Sequence, residues 1–110
     1  MYELRNYRVM STPMMQHLHD RMENHVIPLF SEHDMNVAGA FEVMVGSDMP
    51  RYVYMLKWRD LAHRDESFGS FYADDRWREV RRITTEAAGG EMLRSFDADL
   101  LKPASYSPLQ

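Results

Sequence analysis

Three polar groups fall on one side of the first strand-like stretch. Residues 1–7 read Met-Tyr-Glu-Leu-Arg-Asn-Tyr. Alternation puts Glu3, Arg5 and Tyr7 on one face and Tyr2, Leu4 and Asn6 on the other. An acid, a guanidinium and a phenol in a row suit one of two arrangements. In the first, Arg5 pairs with a carboxylate such as Glu3 or Asp97 in a buried structural network; breaking one costs about 3–5 kcal/mol. In the second, they line a cavity, where Arg5 turns its fork toward an anionic or carbonyl oxygen of a ligand and Tyr7 acts as donor or acid. The residues alone leave both open.

Further along, Tyr52, Tyr54 and Trp58 share a strand face. They either fill a core or dimer contact, or form an aromatic wall that selects a flat or apolar substrate. Among the histidines, His25 is a candidate general base near neutral pH; the structural alternative is a polar group meeting Arg5 or a carbonyl freed at Pro28. His25 and His33 would sit about 12 Å apart along a helix axis, too far to share a metal. His19 and Glu23 share a helix face, but two ligands do not make a metal site. There is no phosphate loop, nucleophile elbow or zinc spacing, and Ser67 and Ser70 stand in no nucleophile motif. The candidate set is therefore Arg5, Tyr7 and His25 for chemistry, with Glu3, Tyr54 and Trp58 for the substrate. No metal and no cofactor is expected.

The elements that must position these groups follow from periodicity and punctuation. A strand over about 2–10 is followed by Ser11, Thr12 and Pro13, a helix start. Met15, Leu18, Met22, Val26 and Leu29 then form one apolar stripe, with a kink or early end expected near Pro28. Residues 36–46 read as a second strand, apolar on both sides except Glu42. Gly46, Ser47, Asp48 and Pro50 mark a turn, and 51–58 reads as a third strand, again apolar or aromatic on both faces. Asp60 caps a helix, a break is expected at Gly69, and a restart at Asp74 or Asp75. Gly89-Gly90 ends that helix. Residues 92–101 read as a fourth strand carrying Asp97 and Asp99 on one face, and 102–110 as an extended tail.

This order is β-α-β-β-α-β, an α+β ferredoxin-like fold in which two helices cover one face of a four-stranded antiparallel sheet. The whole chain, 1–110, reads as one domain. Two helices cover only one side of such a sheet, yet strands two and three are apolar on both. A second copy is the simplest cover, so a homodimer with its sheets face to face is expected.

Composition narrows the partners. The net charge of −4 disfavours nucleic acid and acidic membranes. The basic run from Arg76 to Arg82 reads as a solvated helix face. The ten methionines suit adaptable apolar packing. Cysteine is absent, which excludes disulfides and thiolate chemistry. No stretch is long and apolar enough for a membrane span, no secretory signal pattern is visible, and a cytoplasmic location is the expectation.

Several motifs, in order, resemble the NIPSNAP family. They are Tyr2-Glu3-Leu4-Arg5-Asn6-Tyr7 at the start; Glu23-Asn24-His25-Val26-Ile27-Pro28-Leu29 with His33 beyond; Asp60-Leu61-Ala62 with Arg64; Ala73-Asp74-Asp75-Arg76-Trp77; and Ser107-Pro108-Leu109 near the end. The resemblance spans essentially the whole chain. It implies a dimeric α/β-barrel fold with a pocket between the sheet and the helices or loops at its rim. It also implies kinship with cofactor-independent monooxygenases, polyketide cyclases, lactone isomerases and haem-degrading enzymes, whereas eukaryotic family members are interaction proteins. Haem-degrading relatives place an iron-binding histidine in the second helical region; no histidine follows His63 here, so haem is not expected. Tyr54 stands where many members have histidine, and Leu56 where many have tryptophan, so a pocket lined by these positions would differ in chemistry. The first functional expectation is a homodimer that binds a small apolar or aromatic molecule, acting as an isomerase, cyclase or monooxygenase. The alternative is a non-catalytic interaction or ligand-sensing module.

Overall fold

The computed structural model describes all 110 residues. Four strands, β1 (Tyr2–Val9), β2 (Asn36–Glu42), β3 (Arg51–Lys57) and β4 (Leu93–Leu101), form one sheet in the order β2-β3-β1-β4. All three pairings are antiparallel. The helices are α1 (Thr12–Arg21), α2 (Ile27–Glu32), α3 (Leu61–Ala73) and α4 (Asp75–Ala88). The ferredoxin-like α+β architecture expected from the residue pattern is therefore the observed one.

The α1 stripe points inward as its spacing dictates: Met15, Leu18, Met22, Val26 and Leu29 are all buried. Between α1 and α2 the chain forms a single π-helical turn, Met22–Val26, in which the Ile27 N–H donates to the Met22 carbonyl. Pro28 follows at once. A residue without an N–H leaves an upstream carbonyl free, and the wider turn accommodates the mismatch without breaking the helix. Against this stripe β3 sets Tyr52, Tyr54, Leu56 and Trp58, all buried, and Phe30, Phe68 and Phe71 complete the core.

One strand end shifts, one strand carries a bulge, and one expected helix break is absent. The second strand ends at Glu42 rather than Gly46. The Val43 N–H still donates to the Arg51 carbonyl at 3.0 Å, but β3 begins at Arg51 behind Pro50. Met44 and Val45 therefore have no partner strand, and they stand 88% and 92% exposed. Within β2 an extra residue at Ala38 shifts the register, so Val37 opposes Leu56 while Gly39 opposes Met55. Such a bulge breaks the simple alternation read along this strand. Gly69 does not break α3; one glycine costs only about 1 kcal/mol in a helix, less than the burial of Phe68 and Phe71 beside it returns. The break comes at Asp74, whose side chain accepts from the Arg76 N–H and caps α4. Asp60 caps α3 as expected, accepting from the His63 N–H at 2.8 Å.

The helices lie over β1, β2 and β3 but leave β4 largely bare, with Phe96 57% exposed and Leu100 also exposed on the helix side. On the opposite face Leu4, Val53 and Met55 are half-buried and Phe41 is exposed. The tail is not extended throughout, as its prolines suggested: after β4 it turns at residues 104–107, where the Ser107 N–H donates to the Ala104 carbonyl. It returns to the sheet, and the Tyr2 hydroxyl donates to the Gln110 carbonyl at 3.0 Å. No helix is long and apolar enough to cross a membrane.

Candidate functional site

The β1 alternation brings Glu3, Arg5 and Tyr7 to the helix side of the sheet. Glu3 is completely buried and Arg5 is 7% exposed. Arg5 Nη1 donates to Glu3 Oε2 at 2.7 Å. A second guanidinium arrives from the first turn of α3: Arg64 Nε donates to Glu3 Oε1 at 2.6 Å, and Nη2 to Oε2 at 3.4 Å. The Trp58 indole N–H adds a fourth bond, to Oε1 at 3.1 Å. Burial alone would raise the Glu3 pKa, but the hydrogen bonds and charges of Arg64 and Arg5 outweigh it and hold the carboxylate below its ordinary range. Two cations thus share one buried anion, and Arg64 also reaches the exposed Asp65 at 3.5 Å. Asp97 is not part of it; that carboxylate pairs with Arg8 at 2.7 Å.

Arg5 is the link from this cluster to a cavity. Its guanidinium carbon lies 5.3 Å from the ring centres of Phe68 and Phe96 and 5.9 Å from that of Tyr7. Burial opposes its charge; the Glu3 carboxylate bonded to it counters that and keeps the guanidinium firmly protonated. Its Nε is the one buried side-chain polar atom in the chain without a hydrogen-bond partner. Native proteins leave few such donors.

The cavity measures about 600 Å³ and lies between β1, β3, β4 and the helices. Its wall is aromatic and aliphatic: Phe30, Phe68, Phe71, Tyr72, Trp77 and Phe96, with Leu18, Met22, Val26, Met92 and Leu93. Arg5, Tyr7 and Tyr54 face it from the sheet, and Arg21, Arg81, Thr85, Glu91, Arg94 and Ser95 also border it. The Tyr7 and Tyr54 hydroxyls are 2.7 Å apart. Burial, aided by the neighbouring Tyr7 phenol, pushes the Tyr54 pKa well above its ordinary value, and Arg5 only partly offsets this. Tyr54 is a neutral donor or acceptor at physiological pH, not a base.

The candidate residues therefore divide. Arg5, Tyr7 and Tyr54 come together on one wall. Glu3 and Trp58 lie behind that wall: Glu3 anchors Arg5, and Trp58 anchors Glu3. His25 borders a separate shallow depression with His17, Asp20, Ile83, Thr84 and Ala87, and no histidine lines the cavity. His33 joins elements elsewhere, with Nδ1 2.7 Å from Ser70 Oγ and Nε2 2.8 Å from Asp74 Oδ2. No group of three or more histidine and carboxylate side chains is placed to hold a metal. The sequence names Arg64 without a role, places Arg81 only within a solvated basic run although it borders the cavity, and does not single out Arg21 or Phe96. The spacing of Arg64 one turn after the Asp60 cap was the only available signal, and it names no partner.

A ferredoxin-like α+β sheet with an apolar cavity held between sheet and helices defines the class. The NIPSNAP family model matches residues 2–108, and the chain belongs to the NIPSNAP family. Solved structures agree. A NIPSNAP family protein of Agrobacterium tumefaciens superposes with a TM-score of 0.83 at 23% identity, covering 99% of this chain and 97% of its own. A NIPSNAP domain protein of Burkholderia xenovorans gives 0.81 at 18% identity, covering 97% of each. A more distant match is the 5-chloro-2-hydroxyhydroquinone dehydrochlorinase of Burkholderia phenoliruptrix, in complex with 2,5-dihydroxybenzoquinone. It gives 0.50 at 10% identity over 96% of this chain and 98% of its own. At these identities the likeness is one of fold. No functionally curated protein matches in sequence.

Proposed function

We propose that this chain binds a small apolar or aromatic molecule bearing an oxygen that carries or develops negative charge, and acts on it without a cofactor. The observation that carries this reading is Arg5. It is a buried, firmly protonated guanidinium at the wall of an apolar cavity, fixed on one side by Glu3 and holding one N–H donor without an acceptor. A ligand oxygen would supply the missing acceptor, and Phe96, exposed over the guanidinium, is the ring that would swing to admit it. Arg5 then stabilises an enolate or phenolate, because its orientation is already paid for by folding. Tyr7 and Tyr54 serve as a hydroxyl pair that donates to, or relays a proton from, the same oxygen. With no histidine lining the cavity, Tyr7 takes the proton-moving role that His25 shared with it on the sequence reading. This set suits isomerase, cyclase or monooxygenase chemistry on substrates that ionise at oxygen. A dehydrochlorinase of a hydroxylated aromatic on a related fold is compatible with it.

The outer sheet face fits the second half of the reading, a homodimer. Leu4, Val53 and Met55 form its middle and Phe41 extends it; a paired copy would remove this surface from water. Met44 and Val45, standing out on the β2–β3 loop, favour a second use as an interaction module in place of catalysis.

Native mass spectrometry of freshly purified protein tests the first reading. A bound organic molecule of low mass, absent from a folded Arg5→Met variant, is the expected result. A protein that carries nothing, and gains no thermal stability from phenolic or enolisable aromatics, would move the function to the interaction module.

A further inference from the structure

We propose that the cavity accepts an amphipathic molecule with a single anionic head: an apolar body among the aromatic rings, and a carboxylate or phosphate head held by Arg21 and Arg81. This rests on the cavity being the ligand site and goes further by naming the ligand's charge and where it sits. The cavity is bordered by four arginines and one carboxylate, Glu91, in a chain whose acidic residues outnumber its basic ones by seventeen to thirteen. A cleft lined by one sign of charge concentrates ligands of the other.

Three of the four arginines of this wall lack a carboxylate partner; the fourth, Arg5, has Glu3, and away from the wall only Arg51 is satisfied by neutral oxygens, the Ser47 carbonyl and Asn6 Oδ1. Arg8, Arg59, Arg64, Arg76, Arg78 and Arg82 all have a carboxylate partner. Arg21, Arg81 and Arg94 have none. Arg21 is half-buried and donates only to neutral oxygens, Thr84 Oγ1 at 2.8 Å and Thr85 Oγ1 at 2.9 Å. Burial and the like charge of Arg81 both disfavour its cation, and Glu91, beyond ion-pair distance, offsets this only in part. Arg81 lies over the Trp77 ring at 5.8 Å, and Arg94 reaches the Asp48 carbonyl at 3.2 Å. Holding two unneutralised guanidiniums near each other costs stability that an incoming anion would return.

The size of the head follows from what lies outside. A neighbouring depression is bordered by Arg78, Arg81 and Arg82. Arg78 pairs with Asp75, and Arg82 with Glu79 and Glu86. The outer arginines are therefore already neutralised, and Arg81 is the one arginine that borders both spaces, beside Thr85. One anionic group is accommodated; a chain of several phosphates would find no free cations beyond it.

The test measures binding of 1-naphthoate, 1-naphthyl phosphate and 1-naphthalenemethanol to the full chain by isothermal titration calorimetry. One or both anions should bind at least about tenfold more tightly than the alcohol, the size of a charge-assisted contact; which anion wins identifies the head group. Arg81→Gln, an exposed change, and Arg21→Gln should each weaken the preferred anion about tenfold and leave the alcohol unchanged. Should Arg21→Gln fail to fold, Arg81→Gln decides alone. Equal binding of alcohol and anions, unaffected by Arg81→Gln, overturns the anionic head but leaves the cavity as the site. Binding of none of the three overturns the cavity reading itself.

Discussion

The hydroxyls of Tyr7 and Tyr54 meet at 2.7 Å although the two residues are diagonal across β1 and β3; the residue directly opposite Tyr54 is Arg5. The diagonal contact turns both phenols toward the cavity and leaves Arg5 between them and Glu3. In either single phenylalanine variant, one hydroxyl loses its partner. Each should cost about 0.5–1.5 kcal/mol in urea unfolding, and the double variant less than the sum, because it removes both hydroxyls together. Strict additivity would mean the two phenols are not coupled. If the pair also moves a proton, Tyr7→Phe should abolish turnover of any substrate that Arg5→Met also fails to turn over.

Glu3 is predicted to matter more to folding than Arg5. Glu3→Gln leaves Arg5 buried without a counter-ion, at about 3–5 kcal/mol. Arg5→Met leaves Glu3 still paired with Arg64 and bonded to Trp58, and places an apolar chain among Phe68 and Phe96. It should lose less stability and lose the ligand. Comparing urea midpoints of the two variants checks the order; the reverse order would mean that Arg64 does not sustain Glu3.

The same carboxylate sets an acid limit. Its folded-state pKa lies below the ordinary 4.5, so its contribution is complete above that pH and is lost as pH falls from there through the folded value. Wild-type stability should therefore drop below about pH 4.5 more steeply than that of Glu3→Gln. Other depressed carboxylates, such as Asp74 and Asp97, remain in both proteins, so the difference between the two curves isolates Glu3. Parallel curves would show that the group is not stabilised in its ionised form.

Much of this was legible because strand residues two apart share a face. Glu3 and Arg5 could be paired on paper for that reason, and the apolar stripe from Met15 to Leu29 named the buried side of the first helix. The rest depended on distance. Arg64 lies 61 positions from Glu3, and nothing local says that the first turn of α3 crosses the start of β1. His25 flanks the apolar stripe, but the face it occupies meets Ile83 and Thr84 of α4 and not the sheet. Which helix covers a flank is a packing outcome. The arginine-lined part of the cavity is built from α1, α4 and β4 together, so no single stretch could display it.

The outer sheet face leads to an assembly prediction. Sedimentation equilibrium at micromolar concentration should give about twice the 13.0 kDa chain mass. Val53 opposes Asn6 of β1 and Phe41 of β2 at the middle of that face. Val53→Lys should therefore yield folded monomer, with unchanged circular dichroism, by placing a charge where two apolar faces would meet. A wild-type monomer would leave Leu4, Val53 and Met55 facing water and remove the reason for their composition.

Ser70, His33 and Asp74 lie in a line that resembles a hydrolase triad, with contacts of 2.7 and 2.8 Å. Chemistry argues otherwise. The Ser70 hydroxyl donates to the Ser67 carbonyl at 3.1 Å, which commits the proton a nucleophile would pass to His33. Ser70 sits inside α3, where backbone N–H groups are used by the helix and none remains for an oxyanion. Asp74 is already held by Arg76, which with His33 keeps its carboxyl well below the usual range. His33 instead ties the end of α2 to α3 and to the cap of α4. His33→Ala should raise amide hydrogen exchange at the first turn of α4, and the wild type should be inert to a fluorophosphonate probe. Labelling of Ser70 by that probe, abolished in His33→Ala, would make this cluster a second active site.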